Sequence, residues 1–139
     1  MGKICNVEEK YEQVLVAVHA AATATEARTL FVAPRACVVT GVSLTPDVAS
    51  TGDATNTTNL NLINKGSAGA GTTEVGNLDL ASGTDLVAYD EKVIPLNATY
   101  LTSGVAMAAG DVLALQFEKV ASGVLVGPGQ AKVVWYPTA

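Results

Sequence analysis

Few residues of this chain have the chemistry and spacing of a reactive site. His19 is the only histidine, so a multi-histidine metal cage within one chain, and any mechanism needing two imidazoles, are excluded. Three copies around an axis could still gather a histidine cluster, but a strand-end histidine satisfied by a neighbour is the simpler reading. A serine or cysteine nucleophile needs a base that a third group orients, and one histidine among many serines shows no nucleophile-elbow pattern. Cys37 stands between Ala36 and Val38 in an apolar run, where burial without a nearby cation raises the thiol pKa and marks a core residue. The spacing of Cys5 and Cys37 does not establish a bridge, and both read as free thiols, since small bridged domains usually carry more cysteine.

The acids Asp47, Asp53, Asp79, Asp85, Asp90 and Glu91 include material for a carboxylate pair. Glycoside hydrolysis would also need a cleft, usually furnished with aromatic platforms, and aromatics are 5% of the chain. Asp53, Asn56 and Asn59 follow at three-residue steps and offer the oxygen ligands that calcium favours, yet the spacing is not that of an EF-hand. Solvated turn residues are the better reading. "GSAGAGTT" places Gly66 and Gly71 at the separation of a phosphate-cradling loop, but Thr72 stands where lysine belongs and no helix follows. Asn56 with Thr58 and Asn97 with Thr99 match glycosylation sequons, which have no meaning in a chain without export. Asp111 follows Gly110 and precedes strict alternation, so it is expected to start a strand and bond nearby backbone through its short carboxylate. No catalytic residue, metal or cofactor is expected.

The elements that would hold such residues are strands. Leu60 and Leu62 alternate with Asn59 and Asn61, Leu78 and Leu80 with Asn77 and Asp79, and Leu113, Leu115 and Phe117 with Ala114, Gln116 and Glu118. That two-residue period gives each strand one dry and one wet face. Further strands are expected at residues 13–19, 28–32, 37–44, 93–98 and 132–136, about eight in all, with turn residues in almost every gap. The fold class is all-β: a single-domain antiparallel β-sandwich, jelly-roll-like, over residues 13–139, preceded by an N-terminal arm over residues 1–12. Pro95 falls inside a segment and implies an edge or a bulge. "TPDVASTGDATNTT" and "NKGSAGAGTTEVG" read as exposed loops at the ends of the sandwich.

Composition limits the partners. The formal charge of -5 disfavours a phosphate backbone, so no nucleic acid is expected. No apolar run is long enough to cross a bilayer, the first residues lack the centre of a secretory signal, and the chain is expected to be soluble and unexported. Apolar residues make up 49% and charged residues 15%, a thin charged coat. "VLVAV" (residues 14–18) and "VVWY" (residues 133–136) are apolar on both faces, which a solitary sandwich with solvated outer sides would leave wet. Association of identical chains would cover them.

The succession "LFVAPRACVVTGVSLTP", "TNLNLINKGSAGAGTT", "MAAGDVLALQFEKVASG" and "KVVWY", spanning roughly residues 13–136, resembles the decoration (cement) proteins of tailed-bacteriophage capsids. The resemblance lies in strand order, turn chemistry and loop composition. It implies a trimeric β-sandwich or jelly roll that binds the major capsid protein on the outside of the expanded shell and stabilises it. It also implies synthesis in the host cytoplasm and residence on the virion. On that reading Val14, Val16, Val18, Val134 and Tyr136 are the expected subunit interface, and Ile4, Val7 and Tyr11 form an arm that meets the capsid or a neighbour. The competing reading is a carbohydrate- or receptor-binding module of a phage fibre or other surface structure. Against it, the one tryptophan, Trp135, lies within an apolar strand, whereas sugar sites favour exposed rings.

Overall fold

The computed structural model describes residues 24–138 in full and residues 11–17 by backbone alone. Among them the chain forms β1 (Tyr11–Ala17), β2 (Glu26–Val32), β3 (Cys37–Pro46), β4 (Thr58–Gly66), β5 (Thr73–Asp79), β6 (Lys92–Ile94), β7 (Val105–Met107), β8 (Val112–Lys119) and β9 (Gly129–Pro137). Each alternating segment of the sequence is a strand. β7 is the one that periodicity does not announce, because three residues are too few to show a period.

Two sheets result. The first has the order β1-β9-β3-β6, with β7 also on β3, and the second has the order β2-β8-β4-β5. Every pairing is antiparallel. β1 pairs β9, β2 pairs β8, β3 pairs β6 and β7, and β4 pairs β5, which is one long hairpin of nested strands rolled into two layers. That is the jelly-roll order.

The two layers close over one interior. Leu60, Leu62, Leu113, Leu115 and Phe117 face it from the second sheet, and Val39, Val42, Leu44, Ala131 and Val133 from the first, all buried. Each large side chain placed there contributes about 1.5–3 kcal/mol of transfer free energy. Two bulges keep the apolar residues on the inner side. In β2 the register shifts between Thr29 and Phe31, so the consecutive Leu30 and Phe31 are both buried. In β3 it shifts between Val39 and Gly41, so Cys37 and Val39 face inward before the bulge and Val42 and Leu44 after it. The hydroxyl of Thr40, the extra residue, donates to the carbonyl of Val134 at 3.3 Å.

Trp135 therefore turns inward. Its ring lies 5.4 Å from that of Phe31, tilted by 47°, in the range of favourable aromatic pairs. Of the doubly apolar "VVWY", Val133 and Trp135 serve the core, while Val134 and Tyr136 lie on the other face of β9, half-buried.

Pro95 has the edge position its missing donor requires. β6 lies opposite Val42–Leu44 and β7 opposite Cys37–Val39 on the same edge of β3, and between them the chain crosses to the second sheet. Leu96 bridges Gly76 of β5, the N–H of Asn77 donates to the carbonyl of Pro95 at 3.0 Å, and the N–H of Asn97 donates to Val75 at 2.8 Å. The seam shuts that side of the sandwich and hides the edge of β5. The strand expected over residues 93–98 thus ends at Ile94, and a single 3-10 turn, Ala98–Tyr100, follows.

Gly76 is the tightest point of this seam. A Cβ there would stand 2.8 Å from the carbonyl oxygen of Pro95 and 2.8 Å from a methyl of Leu62, and the first of these is backbone. Gly76→Ala is expected to destabilise the domain by about 1–3 kcal/mol, read as a lower urea midpoint at unchanged slope. An unchanged midpoint would mean that the seam yields freely.

Candidate functional site

A jelly roll gathers its connections at two ends. Residues 47–57, 80–91 and 120–128 form one end; residues 33–36, 67–72, 95–104 and 108–111 form the other. The first end is stitched by backbone. The bridge between Ser50 and Leu86 closes at 2.9 and 2.8 Å, the N–H of Asp47 donates to Pro128 at 2.8 Å, and the N–H of Tyr89 donates to Pro46 at 2.7 Å.

Polar side chains complete the stitching. The hydroxyl of Ser50 donates to the carbonyl of Leu125 at 2.7 Å. Lys119 reaches from the end of β8 to donate through Nζ to the carbonyl of Val124 at 2.7 Å and to the hydroxyl of Thr58 at 3.3 Å. Burial around that ammonium lowers its pKa, partly offset by the charge of Glu26. Gly52 donates its N–H to Asp85 Oδ1 at 2.8 Å.

The three residues of the calcium reading are used separately. Asp53 Oδ1 accepts the N–H groups of Thr55 and Asn56 at 2.7 and 2.6 Å, Asn56 Oδ1 accepts the hydroxyl of Ser122 at 2.7 Å, and Asn59 is paired in β4 with Asp79 and Glu118. They make a turn, not a cage. Asn97 Nδ2 likewise donates to the carbonyl of Glu74 at 3.0 Å, so both sequon asparagines hold loops in place. Asp111 behaves as its position predicts: Oδ2 accepts the N–H of Ala108 at 2.9 Å, and Gly110 beside it takes φ 88°. "GSAGAGTT" joins β4 to β5 with Gly66 and Gly69 in the left-handed region, a hairpin connection without a helix. Cys37 is a buried free thiol, its pKa raised by burial and by the charge of Asp111.

Between residues 48–51 and 124–128 lies a groove of about 490 Å³, lined chiefly by Val48, Leu125, Val126 and Pro128. Among the described residues, its hydroxyls are those of Ser50 and Thr51, and no titratable side chain lines it. Val48 and Leu125 are more than half exposed, as are Val87 and Tyr89 on the adjoining loop.

Both outer faces of the sandwich carry organised polar groups. On the first sheet Glu91 Oε2 accepts the hydroxyl of Ser43 at 2.5 Å and lies 3.0 Å from Lys132 Nζ, beside Val134 and the 61% exposed Val93. On the second, Asn61 is buried although it occupies the wet register. Its Oδ1 accepts Asn77 Nδ2 at 2.8 Å, and its Nδ2 donates to Gln116 and Glu118 at 3.1 and 3.0 Å.

Of the residues singled out from the sequence, Ile4, Cys5, Val7, Val18 and His19 lie outside the described residues. Tyr11, Val14 and Val16 belong to β1, in register opposite Trp135, Lys132 and Gln130. The structure thus brings Val14 and Val16 onto the strand beside Val134 and Tyr136, and it adds Val93 from β6. Sequence reasoning passed over Val48, Val87, Tyr89 and Leu125, since isolated apolar residues in turn-rich segments have no period.

No family model matches the chain, and no curated protein does. Among solved structures it is similar to a chain in "Structure of infectious bursal disease virus Gx strain", with 11% identity over 96% of this chain and a TM-score of 0.37. The match takes in 33% of that chain's length. So slight a likeness decides nothing about function.

Hydrogen bonds from Asn56 and Thr55 hold the carboxyl of Asp53 below the ordinary 3.8, and those from Ser43 and Lys132 hold Glu91 below the ordinary 4.5. A carboxyl held low in the fold contributes stability above its unfolded value and loses it as pH falls through its folded one. The thermal midpoint is therefore expected to drop from about pH 5 downward, less steeply in an Asp53→Asn, Glu91→Gln double variant. Equal slopes in a pH series of melting curves would show that these contacts are not maintained in solution.

Proposed function

We propose that this chain is a structural virion protein that binds the outer surface of a tailed-phage capsid as a homotrimer and stabilises the expanded shell. The observation that carries the reading is the outward row of Val134 and Tyr136 on β9 with the exposed Val93 on β6, an apolar strip on a face that a solitary sandwich would solvate. Covering that strip by association removes apolar area from water at roughly 25 cal/mol per Å². The jelly-roll order and the apolar groove without titratable lining also support a protein that works by contact.

The mechanism is distributed binding. A trimer that touches several capsid subunits makes its later contacts intramolecularly, so modest contacts sum to a durable attachment. Binding only the assembled, expanded shell then stabilises it by mass action, about 2.7 kcal/mol per site at a hundredfold excess over Kd. Ile4 and Val7 remain the proposed arm toward capsid or neighbour, while Tyr11, first assigned to it, belongs to β1 opposite Trp135. The carbohydrate- or receptor-binding alternative has no support from Trp135, whose ring packs against Phe31.

Light scattering on purified protein should give three times the 14.1 kDa of one chain, and Val134→Asp should shift it toward monomer without unfolding it. A wild-type monomer at micromolar concentration would overturn the association reading. Deleting residues 1–10 should leave the trimer and weaken its uptake by shells that lack it; undiminished uptake would remove the arm from the account.

A further inference from the structure

Tyr89 is the third residue of the turn Val87–Asp90, which the N–H of Asp90 closes on the carbonyl of Val87 at 3.1 Å. Its φ of 63° lies in the left-handed region, which side chains with a Cβ enter only with strain. Its N–H is pinned to Pro46 at 2.7 Å, while the residue is 79% exposed. A turn that fixes a large aromatic in solvent presents it as a contact residue.

The apolar groove beside Leu125 opens on the same end, and the Ser50–Leu86 bridge ties the loop of Tyr89 to it. Among the described residues, the loops of this end carry Asp47, Asp53, Asp85, Asp90 and Glu91 and no lysine, arginine or histidine. Two neighbouring bases are engaged elsewhere: Lys119 is bonded to Val124 and Thr58, and Lys132 lies against Glu91. The loops of the opposite end carry Arg35 and Asp111, so the molecule has one acidic and one neutral end.

We infer that the acidic loop end, with Tyr89 and Leu125 as its apolar anchors, is a docking surface for a protein face that presents lysine or arginine around an apolar depression. Charge decides the occupant. With Glu91 paired to Lys132, the four aspartates of each copy still oppose the same end of a second copy, whereas a basic rim would be drawn to them and would leave the aromatic to bury its ring. The inference rests on the proposed function, under which that basic face belongs to the major capsid protein and the trimer stands on its acidic end.

The probe is the empty expanded shell assembled from the encoding phage's major capsid protein in the absence of this chain, and the ligand is the full-length protein. Tyr89→Ala and Leu125→Asp are expected to weaken binding by about tenfold or more with trimer mass retained. Tyr89→Gly should weaken it equally while the melting temperature holds or rises, because glycine relieves the left-handed strain. Arg35→Glu at the other end should bind as wild type, and raising salt should weaken all binding.

If the shells take up wild type, Tyr89→Ala and Leu125→Asp alike, the docking assignment is wrong and the structural reading stands. If Tyr89→Ala or Leu125→Asp dissociates the trimer, this end is a self-association face and the assignment is again wrong. If the shells do not take up the wild type, the structural reading falls and the docking assignment with it.

Discussion

Two sheets, each apolar on one side, must shut over a common interior, and that closure governs the rest of the molecule. Phe31 and Phe117 with the leucines of β4 and β8 meet the valines of β3 and β9, and interiors of this kind tolerate neither voids nor extra volume. The backbone bends to serve them. The shift after Thr29 lets two consecutive residues enter the core, and the shift at Thr40 keeps Cys37, Val39, Val42 and Leu44 on one side of a ten-residue strand. On the remaining open flank, Ile94, Pro95 and Leu96 carry the chain from one sheet to the other and seal it.

Closure of the inside fixes what is left outside. Once Val133 and Trp135 are committed to the core, Val134 and Tyr136 must emerge on the opposite face of β9, and Val93 emerges on the edge strand. Rolling the hairpin also collects the acidic loops at one end and the nearly uncharged ones at the other. Their carboxylates are structural as well as electrostatic: Asp53, Asp85 and Asp111 each accept backbone N–H groups, which sets loop shape before any partner arrives. A rigid body with an apolar flank and a charged, preorganised end loses little entropy when it docks.

Much of this was legible in the residues. Alternation around Leu60, Leu62, Leu113 and Leu115 located the central strands, Pro95 marked an edge, and Gly110–Asp111 marked a turn into a strand. What escaped was whatever depends on partners distant in sequence. A bulge cannot be read from "CVVTGVSL", because the extra residue is defined by the strand opposite. Asn61 looked solvated because its period is the wet one, yet Asn77, Gln116 and Glu118 from neighbouring strands cover it. Tyr89 in "VAYDE" gave no sign of its left-handed backbone, which the pairing of its loop with Pro46 imposes. The doubly apolar "VVWY" was legible as an anomaly, and the Thr40 bulge shows which half of it is core.

The central proposal is that this jelly roll holds a container together by covering its own apolar flank with copies and setting them on a shell. An electron cryomicroscopy map of the particle from which this chain comes tests it most directly. The account predicts density for this sandwich in groups of three on the outer surface, β9 faces turned toward one another and the acidic loops toward the shell. A shell whose outer surface lacks this density, or carries it only as isolated copies, would contradict it.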